Sequence, residues 1–102
     1  MPDASALLIS TTRRLQQVFE VDNLPATDQE ALCYKVARVV AHLLHTDMNR
    51  LLHILYRIDV EEQQVKQAMI ADDTETIAER IARLIVKREL QKARLRQQYS
   101  NR

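Results

Sequence analysis

Apolar positions along this chain recur every three to four residues, the period of an α-helix rather than the alternation of a half-buried strand. Leu8, Leu15, Val18 and Phe19 mark one side of a first helix over about 5–20, with Asp3 or Ser5 able to cap its start. From Val21 to Ala26 the period breaks, and Asn23 and Pro25 supply the stop, because the residue before a proline is pushed out of helical geometry. Thr27-Asp28-Gln29-Glu30 then reads as a capping box in which Thr27 accepts from the Glu30 amide and the Glu30 carboxylate reaches back. Behind it Leu32, Val36, Val39, Val40, Leu43 and Leu44 form a broad apolar stripe, and Arg38, His42 and His45 fall on the opposite side. Two readings of 28–58 stay open. Leu51, Leu55 and Ile58 can extend the same stripe into one long helix, or Thr46 or Asp47 can cap a new one. The break is preferred, since an uninterrupted helix would set Asp47 near the apolar face.

Asp59-x-x-Glu62 has the form of a further capping signature, opening a helix that carries Val65, Ala68 and Met69. Asp72-Asp73-Thr74-Glu75 repeats the pattern and opens a last, basic helix over about 74–99, with Ile77, Ile81, Leu84 and Ile85 on its core side. The expected fold is all-α, a compact bundle of four to five short helices forming one domain over 1–102.

Composition sharpens this picture at four points. The 102 residues include no glycine, which excludes Gly-rich phosphate cradles, dinucleotide fingerprints and nucleophile elbows as written motifs. One cysteine, Cys33, allows neither an intrachain disulfide nor a thiolate zinc site within one chain. No apolar run approaches the ~18 residues of a membrane span and the first residues lack the basic region of a secretion signal, so a cytoplasmic protein away from membranes is expected. Leu, Ile and Val occupy 28 positions, enough for a real but thin core, and a thin core makes pairing with a second copy plausible.

Net charge is near zero while its distribution is polar along the chain. Residues 80–102 hold eight basic groups and one acidic, a balance of +7, and residues 1–79 hold seven basic and thirteen acidic, a balance of −6.

Leu55-Tyr56-Arg57-Ile58-Asp59-Val60-Glu61-Glu62, taken with Ile81-Ala82-Arg83-Leu84-Ile85 and the Lys/Arg/Gln run that follows, resembles a group of small bacterial proteins of uncharacterised activity. The resemblance spans about residues 50–99 and implies a compact helical fold; it brings no activity with it.

Candidate chemistry is sparse. His42 and His45 have a chelating spacing, with Asp47 as an oxygen donor, but they lie on the solvent side and no HExxH arrangement exists, so no metal site is expected. Cys33 borders the Val36/Val40 stripe and reads as a small buried hydrophobe rather than a nucleophile. The acidic pairs Glu61/Glu62 and Asp72/Asp73 sit in helix first turns, where the helix dipole explains them. Arg57 is placed to pair with Asp47, Asp59 or Glu61. No catalytic residue and no cofactor follow. On the last helix Val86, Leu90 and Ala93 lie opposite the Ile77/Ile81/Leu84 stripe, which points to burial on both sides, within the bundle or against another subunit. They are the interface candidates of a non-enzymatic module that binds itself, as a homodimer, or another protein. The competing expectation is nucleic-acid binding through Arg80, Arg83, Lys87, Arg94 and Arg96.

Overall fold

Helices form wherever the apolar period runs unbroken, and in a computed structural model that describes residues 4–100 there are five of them. They are α1 (Ala4–Phe19), α2 (Gln29–Thr46), α3 (Met48–Ile58), α4 (Glu62–Ala68) and α5 (Thr74–Ser100), with no strand among the described residues. The protein is an all-α bundle. No described helix is long and apolar enough to cross a membrane.

The boundaries follow local chemistry. Asp47 closes α2, its amide donating to the Leu43 carbonyl, and opens α3, its carboxylate accepting from the Arg50 amide at 3.1 Å. Of the two readings of 28–58, the structure therefore has the split one, since a single aspartate satisfies orphan groups of both helices. Two of the expected caps are displaced. Asp28, not Thr27, caps α2 by accepting from the Glu30 amide, and the Glu30 carboxylate turns outward to Arg83 instead of back to the cap. Asp59 does not start α4 either. It ends α3 in the left-handed region at φ 66°, its amide bonding to Tyr56 O and the Val60 amide to Leu55 O. That pair of bonds is the usual helix stop built on glycine; in a chain without glycine, aspartate tolerates the conformation best. Asp73 does cap α5, accepting from the amide and the hydroxyl of Thr76.

The connection from α1 to α2 is held by polar side chains of α1. Gln16 Oε1 accepts from the Leu24 amide and the Thr12 hydroxyl donates to the Pro25 carbonyl, so these two side chains secure the turn.

At 27 residues α5 is about 40 Å long and sets the long dimension of a 44 × 27 × 20 Å molecule. The other four helices all pack on it, α2 most extensively. Its buried residues consequently lie on more than one side: Ala78, Ile81, Ala82 and Ile85, but also Val86, Glu89 and Ala93. This corrects the reading of Val86, Leu90 and Ala93 as a surface for a second subunit. Val86 and Ala93 are buried within the chain itself and Leu90 is half-buried against the core. Of the two explanations for a helix with two apolar faces, burial inside the bundle is the one observed.

One fully buried residue is charged. Glu89 sits at 0% exposure, its Oε1 2.7 Å from Lys92 Nζ in an ion pair whose angles are poor for a hydrogen bond. Its Oε2 has no hydrogen-bond partner among the described residues. Lys92 also donates to the Ile58 carbonyl at 2.8 Å.

Candidate functional site

The basic residues that give α5 its excess charge are largely occupied inside the chain. Arg80 donates to Ile70 O beyond the end of α4. Arg83 makes a two-pronged contact with Glu30 in the first turn of α2, both N–O distances 3.1 Å. Arg88 grips Asp59 through its carbonyl and its carboxylate, and Lys92 reaches the neighbouring Ile58 carbonyl, so two cations sit on the C-terminal end of α3. Cations there complement orphan carbonyls and the negative end of the helix dipole. Helix α5 thus acts as a strut to which the start of α2, the end of α3 and the segment after α4 are fastened. Of the five nucleic-acid candidates, Arg80 and Arg83 are engaged in this way; Lys87, Arg94 and Arg96 are exposed. Asp59, one of the three partners the sequence offers Arg57, pairs with Arg88 instead.

The Arg83 contact leaves its mark on proton affinities. Hydrogen bonding from Arg83, and then its positive charge, hold the Glu30 carboxyl below the ordinary carboxylate range, and Arg83 is raised in return. The Thr76 amide and hydroxyl do the same to Asp73. Burial pushes the Cys33 thiol up, away from thiolate and therefore away from nucleophilic chemistry.

Between α2 and α5 the surface opens into a groove of about 580 Å³. Its floor is made of small side chains, with Cys33, Ala37 and Ala41 at successive turns of α2 facing Ala78 of α5. Its α2 wall carries Tyr34, Arg38, His42 and His45, and its α5 wall carries Glu75 and Glu79, with the Glu30–Arg83 fork bridging the two helices. The walls have opposite character because α2 turns its solvent side here, the side on which the arginine and histidines lie. Tyr34 is 62% exposed although it stands beside an apolar floor. The side chains of Arg38, His42, His45 and Glu75 make no ion pair or hydrogen bond among the described residues, and Glu79 has only a 3.7 Å contact with Arg83.

The groove gathers no reactive constellation. His42 and His45 stand on one wall while His53 lies on α3, and among the described residues no three of His, Cys, Asp and Glu converge as metal ligands. A second exposed apolar strip consists of Met48, Leu52 and Tyr56, one per turn along α3. The sequence pattern places Cys33 at the core edge and Arg38, His42 and His45 on the solvent side, and does not single out Ala37, Ala41, Ala78 or Glu79. It misses the concavity, because that arises from alanines on two helices distant in sequence. No protein-family model, curated protein or solved structure matches the chain.

Proposed function

We propose that the protein is a non-catalytic helical interaction module that works by self-association. The observation that carries this reading is the open groove between α2 and α5, floored by small apolar side chains and walled in part by Arg38, His42, His45 and Glu75, whose side chains have no partner among the described residues. Such a surface offers shape for a helix and polar positions for register, the two features of a protein–protein contact. Exposed Tyr34, Met48, Leu52 and Tyr56 on so small a chain support it, since large apolar side chains left in water on small domains mark contact surfaces when they cluster. A catalytic reading would need nucleophile, base and stabiliser together, and the groove pairs a raised thiol with imidazoles on one wall and carboxylates on the other. The proposed setting is the cytoplasm, where a lone thiol stays reduced.

The test is mass in solution by sedimentation from about 10 to 500 µM, the range in which a micromolar to submillimolar dimer declares itself. A species of twice 11.9 kDa at the upper end is expected; a single species of 11.9 kDa throughout refutes the reading. Anisotropy of a labelled generic duplex at about 50 mM salt, on the same sample, checks the competing class, because phosphate contacts are strongest there. With Arg80, Arg83, Arg88 and Lys92 already bonded within the chain, only Lys87, Arg94 and Arg96 of α5 are left to meet phosphates, and weak or no binding is expected.

A further inference from the structure

We infer that the α2/α5 groove binds a small zwitterion, a molecule whose carboxylate and ammonium are separated by a short apolar spacer, lying across the groove from one wall to the other. This goes beyond the self-association reading and does not depend on it. At the start of α2 the two helices join opposite charges directly, through the Glu30–Arg83 fork. Further along α2 the walls stay apart. Arg38, His42 and His45 on α2 and Glu75 on α5 line the same concavity, and none of these side chains has a partner among the described residues. Arg38, His42 and His45 follow one another at spacings of four and three, so the helix sets them in a row. A guanidinium offers only donors and each imidazole carries at least one N–H, a donor set suited to a carboxylate. The Glu75 carboxylate offers acceptors, the complement of an ammonium.

Charge on both walls decides the class of ligand. A simple anion would meet the Glu75 and Glu79 carboxylates on the facing wall, and a simple cation would meet Arg38, so one side of the groove opposes either. A zwitterion laid across it is opposed by neither. The floor between the walls is small and apolar, which suits a hydrocarbon spacer, and Tyr34, 62% exposed one turn before Arg38, adds an aromatic side chain to the rim. The volume of about 580 Å³ falls within the roughly 300–1,000 Å³ of small-molecule sites. Packed helix axes lie about 8–10 Å apart, so charged ends on facing walls call for a spacer of about five methylenes.

The probe is therefore ε-aminocaproate, with caproate and hexylamine as its single-charge halves, and the readout is the proton NMR spectrum of the three imidazoles. His42 and His45 line the groove while His53 lies on α3, so the chain carries its own control. Saturable shifts of His42 and His45 are expected with a midpoint below about 10 mM, the affinity of a ligand of this size. His53 should not move, and each half should bind about tenfold more weakly or worse. Arg38 and Glu75 are exposed, so Arg38→Gln and Glu75→Gln should fold, as circular dichroism can verify, and each should raise the midpoint about tenfold. Ala37→Leu, which fills the floor without adding charge, should abolish the shifts. Absence of saturable shifts, equal movement of His53, halves that bind as well as the whole, or a midpoint indifferent to Glu75→Gln would each overturn the inference. Sedimentation of the same sample separates the two readings: a monomer that binds the probe removes self-association and keeps this site, and a dimer whose imidazoles ignore the probe does the reverse.

Discussion

Removing the amine of Lys92 should be among the most damaging surface-adjacent changes in this protein. Glu89 is at 0% exposure and, among the described residues, its ion pair is with Lys92 Nζ at 2.7 Å, while Lys92 itself keeps 21% of its side chain in contact with solvent. Lys92→Met retains much of the aliphatic stem but leaves a buried carboxylate with no counter-charge and the Ile58 carbonyl with one bond fewer. Breaking one side of a buried pair costs about 3–5 kcal/mol. A domain of this size is stabilised by about 5–15 kcal/mol, so the variant stands near the edge of folding. The converse change behaves differently. Glu89→Leu removes the buried charge, and Lys92 can still reach solvent and the Ile58 carbonyl, so its effect should stay within about 1.5 kcal/mol and can be stabilising. The double variant Glu89→Leu/Lys92→Met should recover most of what Lys92→Met loses. Urea unfolding followed by circular dichroism reads all four proteins in one cycle; at a slope of about 1–2 kcal/mol per molar urea, the single lysine variant shifts the midpoint down by roughly 2–4 M. A shift under about 0.5 M, or a double variant no better than Lys92→Met, would refute the view that Glu89 is held by this one amine.

Two further outcomes follow from the fold and the titrating groups. Glu30 and Asp73 both have carboxyls held below their ordinary range in the folded chain, so each contributes stability that is full at neutral pH and is lost as pH falls through its folded value. Thermal midpoints should therefore fall on acidification below about pH 4, and Glu30→Gln with Asp73→Asn should flatten that slope; an unchanged slope would mean that neither contact persists in solution. Val86→Glu should unfold the chain, not merely separate two copies, because Val86 is at 0% exposure; a folded monomeric variant, read by circular dichroism and sedimentation together, would restore Val86 to an interface.

Much of the fold is legible in the sequence because its information is local. The stripes of α2 and α3 follow from helical period, and Asp47 marks their division since a short side-chain oxygen can satisfy an amide two or three residues ahead. Local rules also explain the misreadings. Asp59-x-x-Glu62 has the form of an N-cap, yet ending α3 takes precedence: the chain lacks glycine, and Asp59 is the residue at that point that accepts φ 66°. The two apolar faces of α5 are equally visible, but a wheel cannot say what covers the second. That is decided by the other four helices all packing on α5, a fact of tertiary arrangement. The groove is legible only as ingredients. Ala37, Ala41 and Ala78 are unremarkable helix formers in sequence, and they become a floor only when α2 and α5 are laid side by side.

The charge asymmetry shows how far a one-dimensional reading reaches. A segment of +7 following a segment of −6 suggests attraction, either to a phosphate backbone or head to tail between copies. In the folded chain part of that attraction is spent internally, as Arg83 meets Glu30, Arg88 meets Asp59, and Arg80 and Lys92 meet carbonyls near helix ends, while Lys87, Arg94 and Arg96 stay exposed. Net charge by segment therefore says little about the surface a partner would meet. The better guide is the residue left over after internal pairing, and in the groove that remainder is Arg38, His42 and His45 on one wall against Glu75 and a weakly held Glu79 on the other.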